Sequence, residues 1–128
     1  MPANEGSDTV TKITPGGAAS TFGKTGAWPQ AIAIDRSGNI YTANWVSNNV
    51  SKITPSGKST IYGKTGKKPI GLVVDPYGAV FTTNDGANTV SKISRTGRAK
   101  VIASTGRRPI GIASDAAGFL YTANFLSN

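Results

Sequence analysis

Two sets of side chains, each recurring every forty residues, carry the chemistry that this sequence offers. One set stands at Trp45-Val46, Asp85-Gly86 and Phe125-Leu126. The other holds Lys24, Lys64, Lys67-Lys68 and Arg107-Arg108, with Trp28 in register with Lys68 and Arg108. Aromatic faces stack on sugar rings or bases, while lysine and arginine engage phosphates, sulfates or carboxylates. Placed on one rim, Trp28, Trp45, Lys67, Lys68, Asp85, Arg107, Arg108 and Phe125 would form a candidate surface for an anionic or carbohydrate ligand. The plainer reading makes the basic pairs solvated turn residues and packs Trp28 between structural units.

Two further sets repeat. Asp35, Asp75 and Asp115 each open an Asp-x-x-Gly stretch. There the carboxylate caps backbone amides two residues on, and the glycine takes positive φ; turn capping is therefore expected over a ring of metal ligands. Asn44, Asn84 and Asn124 are expected to end strands at loops, tolerating left-handed backbone and satisfying loose amides, or to form a polar ring near a channel mouth. Lys12, Lys52 and Lys92 repeat in mid-strand, on an expected solvated face.

The chain has neither histidine nor cysteine. It therefore lacks the commonest general base, a thiol nucleophile and a thiolate metal site. Its six acidic residues form no evident pair, and no Gly-x-Ser-x-Gly elbow or phosphate-binding glycine loop appears. No catalytic residue, metal or other cofactor is expected. The net charge of +8 suits acidic partners such as nucleic acid, anionic polysaccharide or a membrane surface, or simply solubility. No apolar run is long enough to span a bilayer. Residues 1–8 lack a basic segment followed by an apolar one, so no signal peptide is expected in this chain. The compartment stays open.

These side chains must be held by short strands. Glycine, proline, threonine, valine and isoleucine dominate, which favours strands and tight turns over helices. Each forty residues holds four β runs: Gln30–Ile34, Ile40–Asn44, Val50–Ile53 and a run around Thr60–Tyr62, with equivalents in the other repeats. Four strands joined by hairpin-length turns describe one antiparallel sheet, the blade of a β-propeller. Ala31, Gly71 and Gly111 put small residues on the innermost strand, where blades crowd the axis.

The pattern Pro-x-Gly-Ile/Leu-x-x-Asp-x-x-Gly-x-Ile/Val-Tyr/Phe-Thr-x-Asn, then Asn-x-Val-Ser-Lys-Ile, resembles the NHL-type propeller repeat of bacterial proteins. Similar repeats occur in virginiamycin B lyase-like propellers. The resemblance covers residues 4–128 and implies the fold. The lyases use a histidine in a metal-dependent site, so their activity is not carried over to a chain without histidine.

The expected organisation is all-β: an outer half-blade at 4–28, full repeats at 29–68 and 69–108, and an inner half-blade at 109–128. Twelve strands then make three blades, too few to close a ring, since propellers use four to eight. Two copies arranged head to tail would join residues 9–22 of one to 110–124 of the other, giving a homodimeric six-bladed ring with twofold symmetry. The alternative is an excised or engineered piece of a longer propeller, which a start and stop inside one loop also fits. The expected function is a non-catalytic, self-assembling binding scaffold for an anionic polysaccharide or a sugar. The alternatives are an RNA-binding NHL-type propeller, or an enzyme (lyase or hydrolase) with its site at the channel mouth using Asp85 and the asparagines.

Overall fold

The computed structural model describes residues 3–4 and 7–126; residues 1–2, 5–6 and 127–128 lie outside the described residues, and with them part of the N-terminal segment and the tip of the 109–128 half-blade. Among the described residues thirteen strands are found, numbered in chain order. A three-stranded sheet holds β1 (Ala3–Asn4), β2 (Thr9–Ile13) and β3 (Ala19–Lys24). The first complete blade holds β4 (Pro29–Ile34), β5 (Ile40–Asn44), β6 (Asn49–Ile53) and β7 (Ser59–Lys64). The second holds β8 (Pro69–Val74), β9 (Val80–Asn84), β10 (Thr89–Ile93) and β11 (Ala99–Ser104). A two-stranded sheet of β12 (Pro109–Ser114) and β13 (Leu120–Asn124) follows. All pairings are antiparallel, and the fold is a β-propeller of four-stranded blades, three to the chain. Among the described residues no helix is long and apolar enough to cross a membrane.

One strand was not expected. Ala3 and Asn4 pair with Val10 and Thr9, in the register in which Ala43 and Asn44 pair with Val50 and Asn49. The first half-blade therefore carries the last two residues of a second strand as well as its third and fourth.

Turn chemistry sets the register. Asp35 Oδ1 accepts the N–H of Ser37 and of Asn39, each at 2.9 Å, and Gly38 closes the turn at φ 87°. Asp75 and Asp115 repeat this capping on Tyr77, Ala79, Ala117 and Phe119. Burial alone would raise the Asp35 pKa. Hydrogen bonds from Asn39, the Tyr41 hydroxyl and the Ser37 amide outweigh it and hold the carboxyl below its ordinary 3.8. Asp115 is likewise lowered, chiefly by the Phe119 amide and then by the Tyr121 hydroxyl. Burial first, then Asp35, push the Tyr41 phenol above its ordinary value.

Blades pack through interlocked large and small residues. Ile53 and Ile93 are fully buried, each worth about 1.5–3 kcal/mol of transfer. They fit because the preceding outer strand carries glycine. A Cβ on Gly23 would lie 2.9 Å from Ile53 Cγ2, and one on Gly63 2.6 Å from Ile93 Cγ2. Tyr41 meets Tyr62 edge-on at 5.2 Å. Lys12, Lys52 and Lys92 each set their ammonium over an aromatic ring, Phe22, Tyr62 and Phe81 respectively. Lys12 is exposed and the other two are half-buried. Equivalent positions on the outermost faces are uncovered: Ile13 is 50% exposed, and Tyr121 is 58% exposed where Tyr41 is 2%.

The inner strands of neighbouring blades meet at Gly71, whose N–H donates to Thr83 Oγ1 at 2.9 Å while that hydroxyl donates to the Ile110 carbonyl at 3.0 Å. A Cβ there would lie 2.5 Å from the Ile110 oxygen. Gly71→Ala is expected to cost about 1–3 kcal/mol, as overpacking does. Gly111→Ala, whose Cβ would meet only Ala123 at 4.0 Å, should stay within about 0.5 kcal/mol. Equal urea midpoints for the two variants would contradict this contact. For the Asp35 turn, a lowered carboxyl pKa means stability that is full above about pH 4 and lost as pH falls through the depressed value. Unfolding free energy should be flat from pH 7 to 5 and decline below about pH 4. Asp35→Asn should be less stable at pH 7 and show a shallower acid slope; an unchanged slope would remove Asp35 from the groups responsible.

Candidate functional site

The segments entering the inner strands end at Trp28, Lys68 and Arg108, all with left-handed backbone at φ 62°, 56° and 53°. That conformation costs roughly 1–2 kcal/mol for a residue with a Cβ, and a repeated clamp offsets it. The N–H of Trp28 donates to Asp8 Oδ1 at 2.8 Å, that of Lys68 to Asn48 Oδ1 at 2.9 Å, and that of Arg108 to Asn88 Oδ1 at 2.9 Å. Their carbonyls accept the N–H of Trp45, Asp85 and Phe125, each at 2.8 Å. Asp8, Asn48 and Asn88 are themselves left-handed, at φ 56°. The two sets of loops recognised by their spacing are thus joined residue to residue at one rim.

A buried amide fixes this clamp to the blade. Asn44 Nδ2 donates to Asn49 Oδ1 at 2.8 Å and to Ser51 Oγ at 2.9 Å, and its Oδ1 accepts from Thr42 Oγ1. Ser51 Oγ also accepts the N–H of Gly26 at 2.9 Å. Asn84 makes the same set with Thr82, Thr89 and Ser91, and Ser91 takes the Gly66 amide. Both asparagines are fully buried and lie within strands. Left-handed backbone expected at Asn44 and Asn84 falls instead four residues on, at Asn48 and Asn88, because the earlier position is needed inside the blade. Asn124, paired with Thr122 at 3.2 Å, is only half-buried.

Side chains along the rim touch in sequence. Trp28 and Trp45 lie 6.1 Å apart with planes tilted by 49°. The Lys68 ammonium sits 4.9 Å above the Trp45 ring. Arg108 Nε and Nη2 donate to the two oxygens of Asp85 at 2.9 and 3.1 Å, and its guanidinium lies 5.5 Å from the Phe125 ring. Lys67 and Arg107 are exposed beside this line. The Asp85 hydrogen bond and charge raise the Arg108 pKa further, so the guanidinium is always charged. Asp85 is only 7% exposed; a buried carboxylate needs such a partner. Trp28 is 44% exposed and thus not packed away between blades.

Between the tryptophans and the ion pair lies a cleft of about 240 Å³ lined by Trp28, Gln30, Trp45, Ile70, Asp85 and Arg108. Gln30 and Ile70 were not anticipated. Gln30 stands at the β-bulge between Pro29 and Ala31, where the strict alternation of strand faces is broken. The clamp residues Asp8, Asn48 and Asn88 were also missed, although their forty-residue spacing is visible in the chain. Asp35, Asp75 and Asp115 sit at the far ends of the inner strands, away from this cleft. Among the described residues no cluster of three His, Cys, Asp or Glu side chains gathers to hold a metal.

No protein-family model matches the sequence, and no curated protein matches it. Solved structures do. A streptogramin B lyase structure superposes with a TM-score of 0.81 at 20% identity, covering 94% of this chain and 42% of that one. A catalytically inactive virginiamycin B lyase from Staphylococcus aureus with quinupristin gives 0.77 at 18%, covering 92% and 42%. A chain of the nidogen/laminin complex gives 0.72 at 19%, covering 85% and 45%. At such identities the likeness establishes the propeller fold. The chain spans less than half the length of these three.

The clamp yields a direct test. Asn48→Ala removes the acceptor for the Lys68 amide and strains a left-handed position, which should cost about 1–3 kcal/mol. Asn48→Asp keeps the acceptor and should cost less than half as much. Equal unfolding midpoints for the two would show that the clamp does not hold the rim.

Proposed function

We propose that this chain is a non-catalytic, ligand-binding module of an NHL-type propeller, closing with a second copy into a six-bladed ring and taking an anionic saccharide at the channel mouth. The cleft carries the reading: two tilted tryptophans face an Arg108–Asp85 pair, with Lys68 over one ring. Tryptophan faces accept the C–H side of a sugar. The Gln30 amide offers both a donor and an acceptor to hydroxyls. Guanidinium and ammonium groups bind carboxylate or sulfate through charge-assisted hydrogen bonds.

Binding is favoured over turnover because the cleft's carboxylate is engaged on both oxygens by Arg108. A general base must also come within reach of the proton it takes, whereas Asp85 is only 7% exposed, and the chain has no histidine or cysteine to replace it. A second reading, RNA binding, is favoured by the basic pairs Lys67-Lys68 and Arg107-Arg108 beside three aromatic rings.

Both tryptophans of the chain line the cleft, so tryptophan emission reports on this site alone. Titration with a uronate or sulfated tetrasaccharide should shift that emission. Trp45→Ala should weaken binding at least about tenfold, roughly 1.4 kcal/mol. Raising salt from 50 to 200 mM should weaken the saccharide only a fewfold, whereas a single-stranded RNA contacting many cations should lose orders of magnitude. No emission change at millimolar saccharide, or equal affinity in Trp45→Ala, would overturn the saccharide reading; tight, steeply salt-dependent RNA binding would replace it.

A further inference from the structure

The edge strands of the two terminal sheets are written in matching registers. In the complete blades the second strand pairs with the third as Ile40↔Ile53, Tyr41↔Lys52, Thr42↔Ser51, Ala43↔Val50 and Asn44↔Asn49, and as Val80↔Ile93 through Asn84↔Thr89. β13 repeats the second-strand sequence as Leu-Tyr-Thr-Ala-Asn, and β2 repeats the third as Thr-Val-Thr-Lys-Ile. Among the described residues β13 pairs with β12 alone, leaving its outer edge open. Laid on β2 of another copy, it would form five pairs, Leu120 to Ile13 through Asn124 to Thr9, and cover Ile13 and Tyr121, which are 50% and 58% exposed where Ile53 and Tyr41 are buried.

Two of those five positions are taken. Val10 and Thr9 already pair with Ala3 and Asn4 of β1, which also packs against β4, as β5 packs against β8 and β9 against β12. β1 and the end of β13 therefore claim the same place in the same register.

We propose that β1 is a displaceable guard on the edge of β2, and that β13 of a second copy docks there by replacing it. This rests on the ring reading given above and adds its control. Exchange runs towards the docked state because two ladder pairs give way to five, and because the incoming strand buries apolar side chains that β1 leaves bare. The guard also explains how such an edge avoids indiscriminate pairing, since an unpaired strand edge otherwise templates aggregation. One position loosens the seam relative to the internal blade contacts. Where Gly23 and Gly63 admit Ile53 and Ile93, the face awaiting Ile13 of the second copy carries Ala103.

The test locks the guard. The chain has no cysteine, so Asn4→Cys with Thr9→Cys, directly opposite in the ladder, makes a single disulfide across the pair. Light scattering after size exclusion should give twice the chain mass for the unmodified protein and for the reduced variant, and the mass of one chain for the oxidised variant. Circular dichroism confirms that the oxidised form stays folded. As a second variant, removal of residues 1–6 should tighten self-association about tenfold. An oxidised variant that dimerises as well as the reduced one, or an unchanged association constant on removing residues 1–6, would overturn the guard while leaving the ring. An unmodified chain and a residue 1–6 deletion that both stay single at all concentrations would overturn the ring itself. Ala103→Gly probes the ring separately: it should tighten the pair whether or not β1 competes.

Discussion

A buried primary amide governs how one blade follows another. Asn44 and Asn84 each bind the second and third strands of their own sheet. Through a shared serine hydroxyl they also hold the glycine amide of the segment arriving from the sheet before. An amide in this position has no solvent to fall back on, so its partners are obligatory. The glycines at 26 and 66 are part of the same requirement, since a Cβ on either would lie 2.7 Å from the asparagine nitrogen. Strand pairing alone would give isolated sheets. The amide converts them into a sequence of blades with a defined angle of entry, and the rim residues inherit their places from it.

Against this frame, the two levels of the structure differ in how plainly they are written. The blades were legible because proline, aspartate and glycine act through local chemistry that shows in residue identity: a missing N–H, a capping carboxylate, a positive φ. The asparagines were legible as a repeat but not in role. Asn44 and Asn48, like Asn84 and Asn88, are the same residue type four positions apart. Only burial decides that the first is a strand amide and the second a left-handed clamp. Gln30 was hidden for another reason. A bulge after Pro29 resets which way the strand's side chains point, and no residue type announces it.

The rim pairs depend on chain order in a way the repeat did not disclose. Two rim contacts across neighbouring blades join the residue just before one inner strand to the loop residue of the blade before: Lys68 on Trp45, Arg108 on Asp85. Spacing showed that these residues belong to one surface. Which would touch which follows from the offset between blades, a property of packing. That offset gives Lys68 and Arg108 each a group able to receive it, and leaves the two tryptophans side by side on one wall of the cleft.

The left-handed turns at 28, 68 and 108 have a consequence for how such a surface can change. All three are held by backbone groups and by a side chain twenty residues upstream. Tryptophan, lysine and arginine therefore occupy identical sockets, and nothing in a socket reads what lies beyond Cβ. Ligand preference and fold are stored in separate atoms. The backbone socket tolerates any of the three residues, so re-lettering is limited only by what the rim side chain itself meets, as at 108, where the buried Asp85 requires a cation.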